Sequence, residues 1–145
     1  YPFFYVSSSE WNLYDLLEDF FSIRGLPKGP FILRKMEHSI YKFWKSGSGS
    51  HQQKYQQIKQ LLRFYKSQKF ILFGDSGQRD PVIYRNLALE YPDRIEAIYI
   101  RKIKTKRSGQ YDSISDELEK YGVLYEEISK MEMALQHARN NGFIK

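Results

Sequence analysis

Two apolar runs constrain this chain more than any other feature. Residues 69–74 (KFILFG) and 95–100 (IEAIYI) are almost uninterrupted in their hydrophobicity, which is typical of parallel strands covered on both faces. Between them, Asp80 and Pro81 open a segment with the usual start of a helix, a capping residue followed by proline. Strand, helix and strand in this order predict a mostly parallel sheet with helices on both faces.

The rest of the chain continues this alternation. Short strands are predicted at 3–7, 30–34 and 123–125, and helices at 10–24, 54–65, 115–121 and 131–141. The inner faces predicted for the first, second and last of these helices are Leu13, Leu16, Leu17, Phe20 and Phe21; Ile58, Leu61, Leu62 and Tyr65; and Met131, Ala134, Leu135 and Ala138. The segment 46–50 (SGSGS) predicts a mobile loop. We expect one domain over residues 1–145.

Composition excludes several classes of protein. Hydrophobic residues make up 41% and aromatic residues 17% of the 145, too many for a disordered chain. Without cysteine there is neither a disulfide framework nor a thiolate metal site, and His38, His51 and His137 are too scattered for a histidine-based one. A net charge of +6 favours anionic partners such as phosphorylated lipids or membrane surfaces, although solvated lysines explain it equally well. No aromatic pattern typical of RNA-binding modules is present, so nucleic acid is not expected.

The segment 74–81 (GDSGQRDP) carries the clearest chemistry. It follows a predicted buried strand and opens a helix, and ligands of open α/β sheets bind at this end of the strands. Asp75 and Asp80 offer two hard oxygen ligands, which suit Mg²⁺ shared with a phosphate. Alternatively, Asp75 only ends a strand and Asp80 only caps a helix. Arg79 either contacts substrate or points to solvent.

Two weaker signals lie earlier in the chain. Ser7 and Ser8 lie at the end of the first predicted strand, where a hydroxyl and backbone N–H groups can hold a phosphoryl oxygen. The alternative is helix capping, with Glu10 answering Ser7 in a capping box. Lys54 begins the helix before the Asp75 strand and could neutralise phosphate, or it is one of 23 basic residues on a solvated surface.

Together these segments resemble one enzyme family. The runs FYVSSSEWNLYDLL, GLPKGPFILR, KYQQIKQLL, FILFGDSGQRDP and YPDRIEAIYIR are similar to the catalytic domain of the actin-patch phosphatidate phosphatases, within the haloacid dehalogenase superfamily. The resemblance covers nearly the whole chain and matches Ser7 to motif two, Lys54 to motif three, and Asp75 and Asp80 to motif four. It implies a Rossmann-like haloacid-dehalogenase core, Mg²⁺ as cofactor, and a phosphatidate-like lipid or another phosphate monoester as substrate.

The resemblance also implies the chemistry and its location. One Asp attacks phosphorus and forms an aspartyl-phosphate, a second Asp two residues later acts as acid and then base, and Mg²⁺ shields the charge. In this reading Ser7 and Lys54 are catalytic, Asp75 and Asp80 bind the metal, and Ser8 and Arg79 contact substrate. We expect a cytoplasmic location with peripheral contact to a membrane.

One expected motif is absent from the sequence. The nucleophile and the acid/base of the family belong to a DxDxT segment, and these 145 residues contain no Asp-x-Asp; Asp15 and Asp19, four residues apart on a helix, cannot replace it. We expect that segment, with the first and central strand of the sheet, to precede Tyr1 or to come from a partner chain, which leaves 1–145 a partial domain with motifs two to four. The alternative function is an inactive remnant that binds a lipid or a protein.

Overall fold

The computed structural model describes residues 2–34, 46–103 and 113–144. They form two compact units, 1–64 and 65–145. Both units have parallel strands flanked by helices, which confirms the predicted α/β class. The prediction of a single partial domain stays a prediction. Within the described ranges, no helix combines the length and the hydrophobicity needed to cross a membrane.

The first unit is a two-stranded parallel sheet with two helices. Strand β1 (Tyr5–Glu10) leads through a 3-10 turn into helix α1 (Tyr14–Ile23), and strand β2 (Phe31–Arg34) and helix α2 (Ser46–Phe64) follow. The strands pair in parallel, and α2 packs against both of them. Because β1 extends to Glu10, the predicted capping box between Ser7 and Glu10 is wrong: both residues are in extended strand.

An aromatic cluster holds α1 to its sheet. The rings of Tyr5, Tyr14, Phe21 and Phe31 contact one another with centroid distances from 4.4 to 5.7 Å, mostly edge to face. This cluster turns the helix so that its inner face is centred near Tyr14, Leu17 and Phe21. The inner face predicted from the sequence is therefore partly wrong, and three of its members are exposed: Leu13, Leu16 and Phe20.

Helix α2 is longer than predicted. It starts at Ser46, so the expected loop at 46–50 is wrong: those residues form its first turns. Glycine and serine are poor helix formers, but adding a residue to an existing helix costs far less than nucleating one. The inner face agrees with the prediction, since Ile58 and Leu62 are buried. Gln57 donates from Nε2 to the carbonyl of Leu33 at 3.1 Å, which connects α2 to β2.

The second unit is a three-stranded parallel sheet. Its elements in chain order are β3 (Phe70–Asp75), α3 (Asp80–Glu90), β4 (Ile95–Arg101), α4 (Ser113–Glu119), β5 (Leu124–Ile128) and α5 (Met131–Asn140). The strand order is β3-β4-β5, so β4 is central, and six of its seven residues are at least half-buried. The apolar runs 69–74 and 95–100 both form strands, as predicted.

Helices cover both faces of this sheet. On one face, Ala134 and Ala138 of α5 pack on Ala97, Tyr99 and Ile128. The alternate β4 side chains point the other way, where α3 and α4 contact each other.

Two expectations for this unit are wrong in detail. Met131 and Leu135 of α5 are exposed, because the small alanines let the helix approach the sheet along a different line. Phe73 of β3 is 53% exposed rather than covered, although its ring stacks on Tyr99 at 5.0 Å.

Candidate active site

The segment predicted to carry the chemistry lies at the carboxyl edge of the second sheet. Asp75 ends β3 and pairs in register with Arg101, which ends β4, and Arg101 in turn pairs with Ile128 at the end of β5. Residues 76–79 then connect the edge to the first turn of α3. The acidic loop, defined here as residues 75–80, therefore occupies the position at which parallel α/β sheets bind ligands.

Asp75 shapes the acidic loop with its own side chain. Its Oδ1 accepts hydrogen bonds from the backbone N–H of Gly77 at 2.8 Å and of Gln78 at 3.1 Å. This is an Asx-type turn, in which a carboxylate replaces a backbone acceptor. Both recorded bonds use Oδ1, and an ionised carboxylate offers about four lone-pair sites, so the group has capacity for a further ligand.

Asp80 is the second carboxylate, and it is almost completely buried. Its residue is 3% exposed, and its Oδ2 lies 3.4 Å from the backbone nitrogen of Asp75. The sequence predicted Asp80 as the helix cap, but the structure places Arg79 at that position and Asp80 in the first turn of α3. Asp80 is thereby directed back toward the strand end, which brings the two acids of the motif to one place.

Gly74 makes this approach possible. A Cβ atom at this position would lie 2.7 Å from the Cβ and the Oδ2 of Asp80 and 2.7 Å from the Cε2 of Tyr84. Real Cβ atoms essentially never come so close to heavy atoms, so only glycine fits between β3 and the start of α3. The glycine before Asp75 is thus a steric requirement of the site.

Tyr84 lies beneath the two acids. Its hydroxyl donates to the carbonyl of Phe73 at 2.9 Å. Burial raises the pKa of Tyr84 well above its ordinary value, and the negative charges of Asp80 and then Asp75 add to the effect. The phenol of Tyr84 therefore stays protonated. Both carboxylates are close enough to Tyr84 to affect its pKa.

Ser76 ties the acidic loop to the strand next to it. Its backbone N–H donates to the carbonyl of Arg101 at 3.0 Å, and its Oγ accepts from the backbone N–H of Ile103 at 2.9 Å. These two bonds fix the loop against the segment that leaves β4. In that segment, Lys102 forms an ion pair with Glu127 at 2.9 Å.

Arg79 is exposed at the start of α3. Its position in the acidic loop is consistent with substrate contact, and that role stays a prediction.

The predicted phosphate-binding serines lie in an irregular part of β1. Val6 pairs with Ile32 and Glu10 pairs with Arg34, so Ser7, Ser8 and Ser9 stand opposite Leu33 alone. Such a bulge re-aims side chains and is common beside functional sites. Ser7 is half-buried inside β1, which continues past its predicted end to Glu10, and the side chain of Ser8 lies outside what the structure describes. Their predicted roles are untested.

Lys54 lies in the middle of α2 rather than at its start, since the helix begins at Ser46. It is 8% exposed, so the alternative of a solvated surface lysine is wrong. Lysine is rarely this buried unless its ammonium group is paired. A paired, buried ammonium is what the predicted functional role of Lys54 requires. His38 lies outside the described residues, as does the side chain of His51.

The donor chemistry of the acidic loop fits Mg²⁺. This ion is usually held by one or two carboxylates and completes its shell with waters and phosphate oxygens. Asp75 and Asp80 supply two such carboxylates, and a nearby cation would offset the cost of burying the charge of Asp80. In the described parts of the chain, no group of three or more His, Cys, Asp or Glu is placed to hold a metal ion.

Three residues of this site were not predicted from sequence: Gly74, Ser76 and Tyr84. Gly74 had a usable signal, since a glycine between a buried strand and an Asp indicates close approach of another group. The roles of Ser76 and Tyr84 depend on contacts 27 and 11 residues away along the chain, which no local pattern reveals.

Comparison with known proteins identifies the family of the chain. Residues 1–102 match the family model described as the catalytic domain of phosphatidate phosphatase APP1. The chain is 36% identical to phosphatidate phosphatase APP1 of Saccharomyces cerevisiae over 99 residues, 68% of this chain and 16% of that protein. It is 27% identical to an uncharacterized protein of Schizosaccharomyces pombe over 106 residues, 72% of this chain and 17% of that protein.

The chain thus spans about a sixth of the length of these relatives. No solved structure matches it. With the motif at the carboxyl edge of a parallel sheet and a family model that covers most of the chain, this protein belongs to the family of phosphatidate phosphatase APP1 catalytic domains.

Proposed function

We propose that this chain is part of a Mg²⁺-dependent phosphatase that hydrolyses a phosphate monoester of the phosphatidate type. The observation that carries the proposal is the acidic loop, in which Gly74 admits Asp80 to the strand end beside Asp75. Family membership supports the phosphatidate-type substrate, because the named relative is a phosphatidate phosphatase.

Each residue has a distinct part in this proposal. Asp75 and Asp80 would hold Mg²⁺, which when bound neutralises charge on the phosphate. Ser7 and Lys54 would bind phosphoryl oxygens, and Ser8 and Arg79 would contact the rest of the substrate. The attacking Asp and the acid/base Asp come from a DxDxT segment that these 145 residues do not contain. Attack of a carboxylate oxygen on phosphorus displaces the alcohol, which takes a proton from the second Asp, and water then hydrolyses the acyl phosphate.

The test is phosphate release from phosphatidate, with and without Mg²⁺, by this chain together with the DxDxT segment that the proposed reaction requires, in one polypeptide or from a partner chain. We expect Asp75→Asn to lower the rate about 100-fold or more, since removal of a group that stabilises developing charge has effects of this size. Asp93→Asn is the matched control, because Asp93 is exposed in the 3-10 turn Pro92–Arg94, and its rate should be unchanged. A rate that survives Asp75→Asn or the removal of Mg²⁺ would contradict the proposal.

The second candidate function is a binding module without turnover. A coding sequence that contains no DxDxT before Tyr1 would favour it. Binding of this chain to phosphatidate vesicles, with no phosphate release at saturating Mg²⁺ even when the DxDxT segment is supplied, would support this alternative over the enzyme.

A further inference from the structure

The end of α1 presents apolar side chains to water. The tip, defined here as residues 20–28, includes the last turn of α1 and the start of the connection to β2. Ile23 is 83% exposed, and Phe20 and Leu26 are each more than two-fifths exposed. Single exposed apolar residues are ordinary, but three large ones within seven positions form a patch of the kind that marks an interaction site.

Hydrogen bonds close the backbone of the tip into a defined turn. The N–H of Gly25 donates to the carbonyl of Ser22 at 3.2 Å, and the N–H of Leu26 donates to the carbonyl of Phe21 at 3.0 Å. Gly25 has a φ of +61°, as the left-handed turn at a helix end requires. The hydroxyl of Tyr5 donates to the carbonyl of Pro27 at 2.7 Å and anchors the far side of the turn.

The charges of the tip indicate what it contacts. Arg24 and Lys28 are both exposed, and the guanidinium of Arg24 lies 5.6 Å from the centroid of the Phe20 ring. Apolar side chains among cations are the composition of segments that enter the interface of anionic membranes.

The same helix also carries acids, and these lie away from the tip. Asp15, Glu18 and Asp19 belong to its first two turns, and Asp19, the nearest, precedes Ile23 by four residues, about 6 Å along the helix axis. A helix that enters a surface end-on at Ile23 would therefore keep the three acids on the aqueous side.

We propose that the tip is a docking site for the surface of an anionic lipid bilayer, with Ile23, Phe20 and Leu26 entering the interface and Arg24 and Lys28 contacting lipid phosphates. The physiological purpose of this contact depends on the proposed function, because it would bring the phosphatase to the layer that contains its lipid substrate. The contact itself is independent of catalysis.

The test measures how the full chain co-sediments with vesicles of phosphatidylcholine containing one-fifth phosphatidate, without Mg²⁺, so that no turnover is needed. We expect Ile23→Ser to weaken binding about tenfold, as loss of one buried aliphatic side chain predicts. Arg24→Gln should weaken binding to these vesicles and not to vesicles of phosphatidylcholine alone. Met131→Ser is the matched control, because Met131 is 62% exposed and also adjoins a lysine, Lys130, and this variant should bind as the unchanged chain does.

Equal binding by the unchanged chain and by Ile23→Ser would overturn the proposal, as would an equal loss in Met131→Ser. A change in self-association by Ile23→Ser, with vesicle binding intact, would assign the tip to a protein contact instead and would also overturn it. Hydrolysis of a short-chain phosphatidate below its micellar concentration separates failure of the membrane contact from failure of the proposed phosphatase function. Ile23→Ser should leave that rate unchanged, whereas failure of the proposed function leaves no rate in either form and leaves the vesicle result standing.

Discussion

The two compact units bury a parallel sheet in different ways. In the second unit, β4 is almost entirely buried, and aliphatic residues of α3 and α4 and alanines of α5 cover it from both sides. In the first unit, α1 has no fully buried residue and is held by a cluster of partly exposed aromatic rings. The acidic loop therefore belongs to the unit with the fully buried core. The unit with the more exposed core contains the tip proposed as a docking site.

The largest expected difference concerns core truncation. Leu87 of α3 has no exposed surface, and Leu87→Ala should lower the free energy of unfolding by about 2–5 kcal/mol, because it leaves a cavity. Leu17→Ala, at a half-buried position of α1, should cost clearly less. Urea unfolding followed by far-UV circular dichroism measures both, with the exposed Leu135→Ala as control at within about 0.5 kcal/mol. Equal losses for Leu87→Ala and Leu17→Ala would contradict the conclusion that the two units differ in how completely their cores are buried.

A smaller difference is expected at high pH. Burial, followed by the charges of Asp80 and Asp75, raises the pKa of Tyr84, so the unfolded chain releases this proton first as pH rises. Stability from this group is thus complete below the unfolded pKa of about 10 and falls above it, by up to about 1.4 kcal/mol per pH unit. Tyr84→Phe should cost about 1 kcal/mol at pH 7 through its lost hydrogen bond and should flatten the alkaline decline.

The counterpart in the first unit is Tyr5, whose pKa is also raised by burial. Tyr5→Phe should change the alkaline decline less than Tyr84→Phe, because no carboxylate adds to the shift at Tyr5. Urea unfolding at pH 7, 9, 10 and 11 measures the slope for both variants. A larger effect from Tyr5→Phe would reverse the order proposed here for the two units.

The smallest effect should come from an ion pair between α3 and α4. The guanidinium of Arg85 contacts both carboxylate oxygens of Glu117, and this hydrogen bonding lowers the pKa of Glu117. The stabilisation is present above the unfolded pKa of about 4.3 and is lost as pH falls below it. Glu117→Gln should therefore lower the midpoint of thermal unfolding slightly at pH 7 and not at pH 3.

The matched control for this pair is Glu96→Gln, which breaks the more exposed Lys69–Glu96 pair. Its effect should be smaller still, since exposed pairs contribute little. An effect of Glu117→Gln as large as that of Leu87→Ala would mean that the second unit depends on its surface contacts rather than on its core.

Sequence periodicity predicted most elements of both units because it reflects local requirements. The strands at 70–75 and 95–101, the start of the helix at Asp80 and the helix at 131–140 agree with the predictions to within a residue or two. Periodicity did not predict which apolar side chains of a helix face the sheet. In α1 the ring of Phe21 decides, and in α5 the small side chain of Ala138 decides, and both outcomes depend on the shape of the opposing surface.

The candidate site likewise has one part that the local sequence predicts and another part that depends on tertiary packing. Asp75 and Asp80 could be identified from one short segment, because strand end, small residues and helix start are all local. The strand bulge at Ser7 depends on pairing with Leu33, and the burial of Lys54 depends on how α2 packs, so neither follows from the sequence around them.

The hydrogen bond between Ser76 and Ile103 sets an order of events when the protein is made. The acidic loop gains this contact only after β4 has paired with β3 and the segment beyond β4 has been made, since Ile103 lies 27 residues downstream of Ser76. A nascent chain that stops before Ile103 would contain both carboxylates but would lack one of the contacts that hold them. The acidic loop therefore has its full set of contacts only once synthesis has passed the central strand.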